Sequence, residues 1–167
     1  SISKTSLQRI SDRRLVQSTS NKIIVAGMSK EIEAFYDEGE YLAGKSTTII
    51  MDDSIQLKFI YAILNSKLLT FWVRINFNSL KMSGGFINVG VNELSQIPIA
   101  DCKSIKNTIV DLIDLIIVRK KINSEADTSD LENQIDLLVY KLYYLTYDEV
   151  LIVDPETPIT REEYEQN

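Results

Sequence analysis

Residues 55–76, IQLKFIYAILNSKLLTFWVRIN, form the longest apolar stretch in the first hundred positions, and its spacing is helical rather than alternating. Ile55, Phe59, Ala62 and Ile63 fall on one 3.6-residue period, and Leu64, Leu68, Phe71 and Ile75 on a second. The pattern predicts two helices broken at Asn65-Ser66, with Ser66 capping the second; one bent helix through the pair is the alternative. Phe71 and Trp72 are neighbours about a hundred degrees apart on that helix and are expected to pack on two surfaces. Upstream, IIVAG after Asn21-Lys22 reads as a strand buried on both sides and ended by Gly27. Residues 29–36 read as a short helix or turn capped by Ser29, with Ile32, Phe35 and Tyr36 on one side. A turn at Asp37-Glu38-Gly39, a strand over TTII and a cap from Asp52-Asp53-Ser54 complete the approach to the central helices.

Downstream, residues 77–91 read FNSLKMSGGFINVGV, a polar, glycine-containing loop followed by a strand. A turn of helix over 91–94 and the edge-type segment IPIA follow. The pattern changes near residue 101. Ile105, Ile109, Leu112, Ile113, Ile116 and Ile117 form one helical stripe, and Leu131, Ile135, Leu138, Val139, Leu142 and Leu145 another, joined by a short polar connection. This predicts an antiparallel helical hairpin over 104–121 and 129–145. Thr146 and Glu149 have capping-box spacing for one more short helix. The acidic, proline-interrupted last dozen residues are expected to fray. Tyr140, Tyr143, Tyr144 and Tyr147 read as helix packing rather than a stacking platform, because the charge around them is negative. The fold class is α+β, and the chain divides into an entry segment (1–20), a mixed α/β unit (21–100), a hairpin with a terminal helix (101–153) and a tail (154–167).

Composition removes several chemistries. One cysteine and no histidine among 167 residues exclude an internal disulfide and a histidine triad and leave no tetrahedral zinc set. Cys102 reads as a small filler at a helix start. Lys58, Lys67 and Arg74 interrupt the one stretch that approaches membrane length, and no secretory leader is recognisable, so no membrane association and a cytoplasmic location are expected. Ser1 in place of Met fits an excised part of something longer. The net charge of −6 argues against a free-standing nucleic-acid binder, but it is unevenly spread. Lys plus Arg number 11 against 9 Asp plus Glu through residue 100, and 7 against 15 beyond it. The first part has the means for a basic face, with the acidic tail turned elsewhere.

Residues 39–46 satisfy GxxxxGK[ST], but a helix-like segment precedes and a strand follows, so backbone amides would not converge on phosphate as they do in a nucleotide-binding loop. The segment itself is expected to be non-catalytic. Arg9, Arg13 and Arg14 cluster near the start, as a solvated face or a phosphate contact. The loop over 76–85 is the foremost candidate for a functional element. Its glycines, Gly84 and Gly85, permit close backbone approach, Lys81 carries charge, and Asn78, Ser79 and Ser83 carry hydrogen-bonding groups. A surface hairpin tip without a partner is the plainer alternative.

Four stretches in order, NKIIVAGMSKEIEAFYDEG (21–39), AILNSKLLTFWV (62–73), GGFINVGVNELSQIPI (84–99) and QIDLLVYKLYYLTYDEV (134–150), resemble the TaqI-like C-terminal specificity domain. This is the DNA target recognition domain of restriction-modification methyltransferases, including those fused to an endonuclease. The central stretch is also similar to recognition domains of type I specificity subunits. The resemblance implies a mixed α/β target recognition domain followed by the helical hairpin, with double-stranded DNA and a methyltransferase domain of the same polypeptide as partners. It implies that the parent enzyme is an adenine methyltransferase using S-adenosylmethionine, with an endonuclease and Mg as further candidates; no cofactor or metal is expected in this segment. Arg13, Arg14, Lys22, Lys45, Asn76, Asn78, Ser79, Lys81, Ser83, Gly84 and Gly85 are the expected DNA-facing residues. Relatives often carry a basic residue after the first strand, where this chain has Ala26-Gly27. A protein-interaction or structural module acting through its hairpin is the competing reading.

Overall fold

The computed structural model describes residues 12–77, 85–100 and 102–166. Branched apolar residues make Lys22–Ala26 a strand, β1, at the centre of an antiparallel three-stranded sheet ordered β3-β1-β4. Its neighbours are β3, Ala34–Asp37, and β4, Thr47–Ile50. Ile23 lies opposite Tyr36 on one side and Ile50 on the other. A second sheet has two short strands, β2 at Met28–Ser29 and β5 at Ile87–Asn88. Helix α1, Asp12–Thr19, precedes the first sheet.

The segment over 29–36 departs from the expected helix. Ser29 and residues 34–36 are in strands, and the Ser29 hydroxyl donates to the Glu31 carbonyl instead of capping a helix. Pairing of residues 34–36 with β1 and of Ser29 with β5 supplies hydrogen bonds that a weak local helical pattern cannot outweigh. Ile32 is buried, as its apolar character predicts. FINVGV is likewise shortened to the two residues of β5, with the Val89 amide donating to the Gly27 carbonyl at 2.9 Å.

The central stretch forms two helices, α2 at Ser54–Leu64 and α3 at Lys67–Asn76. Asp53 caps α2, accepting the Gln56 amide at 3.0 Å, and Ser66 caps α3, accepting the Leu69 amide at 3.2 Å. α4, Val91–Leu94, leads to α5, Lys103–Ile122, and α6, Ser129–Leu142. α2 packs on β1 and β3 and also on α5, while α6 packs on α5 and α3. One apolar core therefore runs from Ile23 and Val25 through Leu57, Phe59 and Ile63 to Ile109, Ile113 and Val139, across the expected boundary at residue 100.

The C-terminal part is better ordered than expected. Thr146 and Glu149 form the capping box of α7, Tyr147–Val153, and α8 occupies Arg161–Gln166. Tyr164 of α8 is buried, and its hydroxyl donates to the Leu145 carbonyl at 2.6 Å. Tyr140, Val150, Ile159 and Tyr164 make a second small core. The tyrosines divide in role: Tyr140 is fully buried, Tyr143 donates to the Pro98 carbonyl at 2.6 Å, and Tyr144 is 90% exposed. Tyr144 takes the left-handed conformation at the end of α6, φ 58°, where the Leu145 amide turns back to the Tyr140 carbonyl at 3.0 Å. Among the described residues no helix is long and apolar enough to cross a membrane.

Four buried polar side chains carry measurable consequences. The Lys22 ammonium and the Asp37 carboxylate, opposite each other in the β1–β3 register, form an ion pair with essentially no exposure. Burial pushes Asp37 up, but the Lys22 hydrogen bond and the Glu40 and Tyr41 amides outweigh it and hold the carboxyl below its ordinary range. Asp37→Ala strands a buried cation and should cost about 3–5 kcal/mol in urea unfolding, whereas the double variant Lys22→Met, Asp37→Leu should recover most of that loss. Asp136 on α6 accepts the Lys67 amide at 2.9 Å, adding a second acceptor to the start of α3. Burial pushes it up to about 6 despite that bond and the Lys67 charge, with Asp154 and Glu132 adding to the rise. A folded-state value above that of the unfolded chain means that its stabilising contribution is complete below roughly pH 4 and is lost as pH rises through the raised value. Asp136→Asn keeps the acceptor without the charge and should gain on the order of 2 kcal/mol at pH 8, with a flatter stability profile between roughly pH 4 and 7. The Tyr140 hydroxyl is a buried side-chain atom with no hydrogen-bond partner among the described residues, so Tyr140→Phe should be neutral or raise stability by about 1 kcal/mol in the same assay.

Candidate functional site

The three-stranded sheet and the β2–β5 ribbon meet beside Gly27. A Cβ on that residue would lie 2.6 Å from the Ser46 carbonyl oxygen, so only glycine allows the chain leaving β1 to pass this close to the turn before β4. The Gly27 amide donates to that carbonyl at 2.9 Å. The approach shapes a cleft of about 310 Å³, lined by Met28, Lys45, Ser46, Thr48, Asn88 and Gly90 among others.

Its chemistry is that of uncommitted polar groups. Lys45, Ser46 and Asn88 are exposed, and their side chains have no hydrogen-bond or ion-pair partner among the described residues. Thr47 is engaged, its hydroxyl donating to the Gly44 carbonyl at 2.8 Å. Among the described residues no carboxylate lines the cleft, and Glu93 at its margin is held by the Gly90 amide at 2.8 Å. Two clefts of comparable size differ in this respect. One sets Lys120 and Lys121 among Asp37, Glu38 and Glu40; the other sets Lys67 among Glu31, Glu132 and Asp136. A phosphate would meet local repulsion in either.

Of the expected DNA-facing residues, the structure places Lys45 in this cleft, and Gly85 precedes β5 with φ +80° and no described residue within 4 Å of where a Cβ would sit. Lys22, expected from the family resemblance, is inside the protein and bound to Asp37, so it offers nothing to a phosphate. Asn76 is exposed at the end of α3, with its amide turned back to the Trp72 carbonyl at 2.9 Å. Arg14 is exposed on α1; Arg13 belongs to the same helix, but its side chain lies outside the described residues. Asn78, Ser79, Lys81, Ser83 and Gly84 also lie outside them.

The wider basic face expected from the first hundred residues is broken up. Lys58 pairs with Asp114 at 2.5 Å and Arg74 with Glu31 at 3.7 Å, in addition to the internal Lys22 pair. The resemblance to a nucleotide-binding loop fails on the geometry as well. A strand, β3, does precede Gly39, but β4 and no helix follows Ser46. Gly39 has φ +88°, and a Cβ there would sit 2.5 Å from the Thr19 carbonyl oxygen, so this glycine serves a turn packed on the end of α1.

Met28, Ser46, Thr48 and Asn88 were not singled out from sequence. Asn88 had a signal in the alternation of FINV, where Ile87 and Val89 are buried and Asn88 points outward. Nothing in the local pattern reveals that residues 28 and 88 pair. Among the described residues, no group of three or more acidic or cysteine side chains converges as a metal site.

No curated protein matches the chain. Residues 1–99, which include every element of both sheets, match a known family, and the chain belongs to the TaqI-like C-terminal specificity domains.

Proposed function

We propose that this chain reads a target sequence in double-stranded DNA on behalf of a restriction-modification enzyme, with the adenine methyltransferase domain and its S-adenosylmethionine elsewhere in the parent polypeptide. The observation that carries the reading is the cleft at the junction of the two sheets, where, among the described residues, a lysine, hydroxyls and a carboxamide stand uncommitted with no carboxylate beside them. Such a set divides naturally between phosphate positioning and base-edge contact. The connection over 78–84, with Lys81, Asn78 and Ser79, enters the proposal from its sequence and from its attachment to β5. Arg14 adds an exposed cation on α1.

A second reading, a protein-interaction module, has one observation in its favour: Leu115, Val118 and Ile122 are exposed along one face of α5. Titration of the chain with fluorescent duplexes at several salt concentrations separates the two. Lys45→Ala and Lys81→Ala should each weaken binding for all sequences alike and reduce the salt slope by about one. Duplex binding that is absent at low salt, or unaltered in slope by both substitutions, overturns DNA recognition at this cleft and favours the interaction module.

A further inference from the structure

Resting on the DNA-reading proposal, we infer that the β2–β5 ribbon reads one A·T base pair in the major groove, Asn88 holding the adenine and Met28 the thymine methyl group. Met28 and Asn88 are direct partners in an antiparallel pair, so their side chains stand side by side on one face. That face looks outward: Met28 is 57% exposed and Asn88 is exposed, while their neighbours Ser29 and Ile87 are buried behind them. The ribbon is thus anchored from the back and bare at the front. A two-stranded ribbon of this kind fits the width of the major groove.

The two side chains match one base pair and mismatch the others. The Asn88 carboxamide offers an acceptor and a donor in fixed relation, which complement the N6 donor and N7 acceptor of adenine. Guanine presents two acceptors at the same edge, so one of the two contacts would be lost. Met28 adds an apolar, adaptable surface beside it, suited to the thymine methyl and ill suited to the cytosine amino group. An exposed methionine opposite an uncommitted asparagine has no structural task in the free chain, since neither contributes to the core.

The ends of the ribbon carry the positioning charges. Lys45 and the hydroxyls of Ser46 and Thr48 share the cleft with Asn88 and Met28. At the other end the Lys30 ammonium lies over the Phe86 ring, 5.9 Å from its centroid. Lys30 follows Ser29 and Phe86 precedes Ile87, so this contact closes the ribbon beside the reading pair. Cations at both ends give a bound duplex two phosphate contacts that fix the ribbon's register.

The test selects duplexes from a randomised library with the wild-type chain, then replaces single atoms in the selected site. The wild type should enrich sites containing an invariant A·T pair. Substituting 7-deazaadenine for that adenine should weaken wild-type binding on the order of 10-fold and leave Asn88→Ala unaffected; substituting deoxyuridine for the thymine should weaken the wild type several-fold and leave Met28→Ala unaffected. Asn88→Ala should relax the library preference at that one position and keep the others. An enriched site whose binding by the wild type ignores both atomic replacements overturns the ribbon assignment while DNA reading stands. Absence of any enriched sequence overturns DNA reading, and the ribbon assignment with it.

Discussion

A helix buried on two sides is the constraint on which the rest depends. α2 meets the three-stranded sheet on one flank and α5 on the other, and Leu57, Phe59, Ala62, Ile63 and Leu64 are all buried there. Such a helix cannot be amphipathic in the simple sense, and it cannot be satisfied by the sheet alone. Removing the helices beyond residue 102 would expose its second flank and take away Ile109, Ile113 and Ile116 of α5, which share one core with it. The residues that match the family end at 99, but the core that holds them in place continues through α6. The later helices are structural partners of the sheet-bearing part, whatever further surface they present.

The joint between α2 and α3 shows how polar groups secure that arrangement. α3 begins with unsatisfied amides, as any helix does. Ser66 takes one, and Asp136 reaches across from α6 to take another. The second bond ties an element remote in sequence to the central break, at the cost of burying a carboxyl. Lys22 and Asp37 make a comparable compromise at the start of β1: a buried pair contributes little net stability, yet either member alone would be strongly unfavourable. Both arrangements fix which segments lie side by side more than they add to the overall stability.

What was legible in the sequence was largely what local chemistry decides. The helical periods of residues 55–76, the caps at Asp53 and Ser66, the stripes that became α5 and α6, and the Thr146–Glu149 box all depend on neighbours within a few positions. Residues 29–36 differ from the helical expectation because residues 34–36 pair with β1 and Ser29 pairs with β5, contacts invisible to a local window. The order at the C-terminus was missed for a related reason. Acidic, proline-interrupted residues 154–166 gain order from Tyr164, which packs into a small core supplied by α6 and α7. For the candidate site, Lys45 entered among the residues that the family resemblance implied, whereas the Met28–Asn88 pairing required the fold.

Counting cations overstated the basic face, and the reason bears on how an acidic chain could hold DNA. The first hundred residues carry a small excess of positive charge, but Lys22, Lys58 and Arg74 are spent on carboxylates and their fields are largely cancelled nearby. The same cancellation works on the acidic side. Asp130, Asp148 and Glu38 are paired with Arg119, Arg161 and Lys121. With salt screening reducing interactions beyond roughly 8–10 Å, the net charge of −6 is a poor guide to what a phosphate would meet at one cleft. What it would meet beside β2 and β5, among the described residues, is Lys45, with Lys30 at the other end of the ribbon and no carboxylate lining the space between the sheets. On the proposed reading, local attraction of that size would position a duplex without binding it tightly, and would leave discrimination to neutral side chains whose hydrogen bonds can be made or lost one base pair at a time.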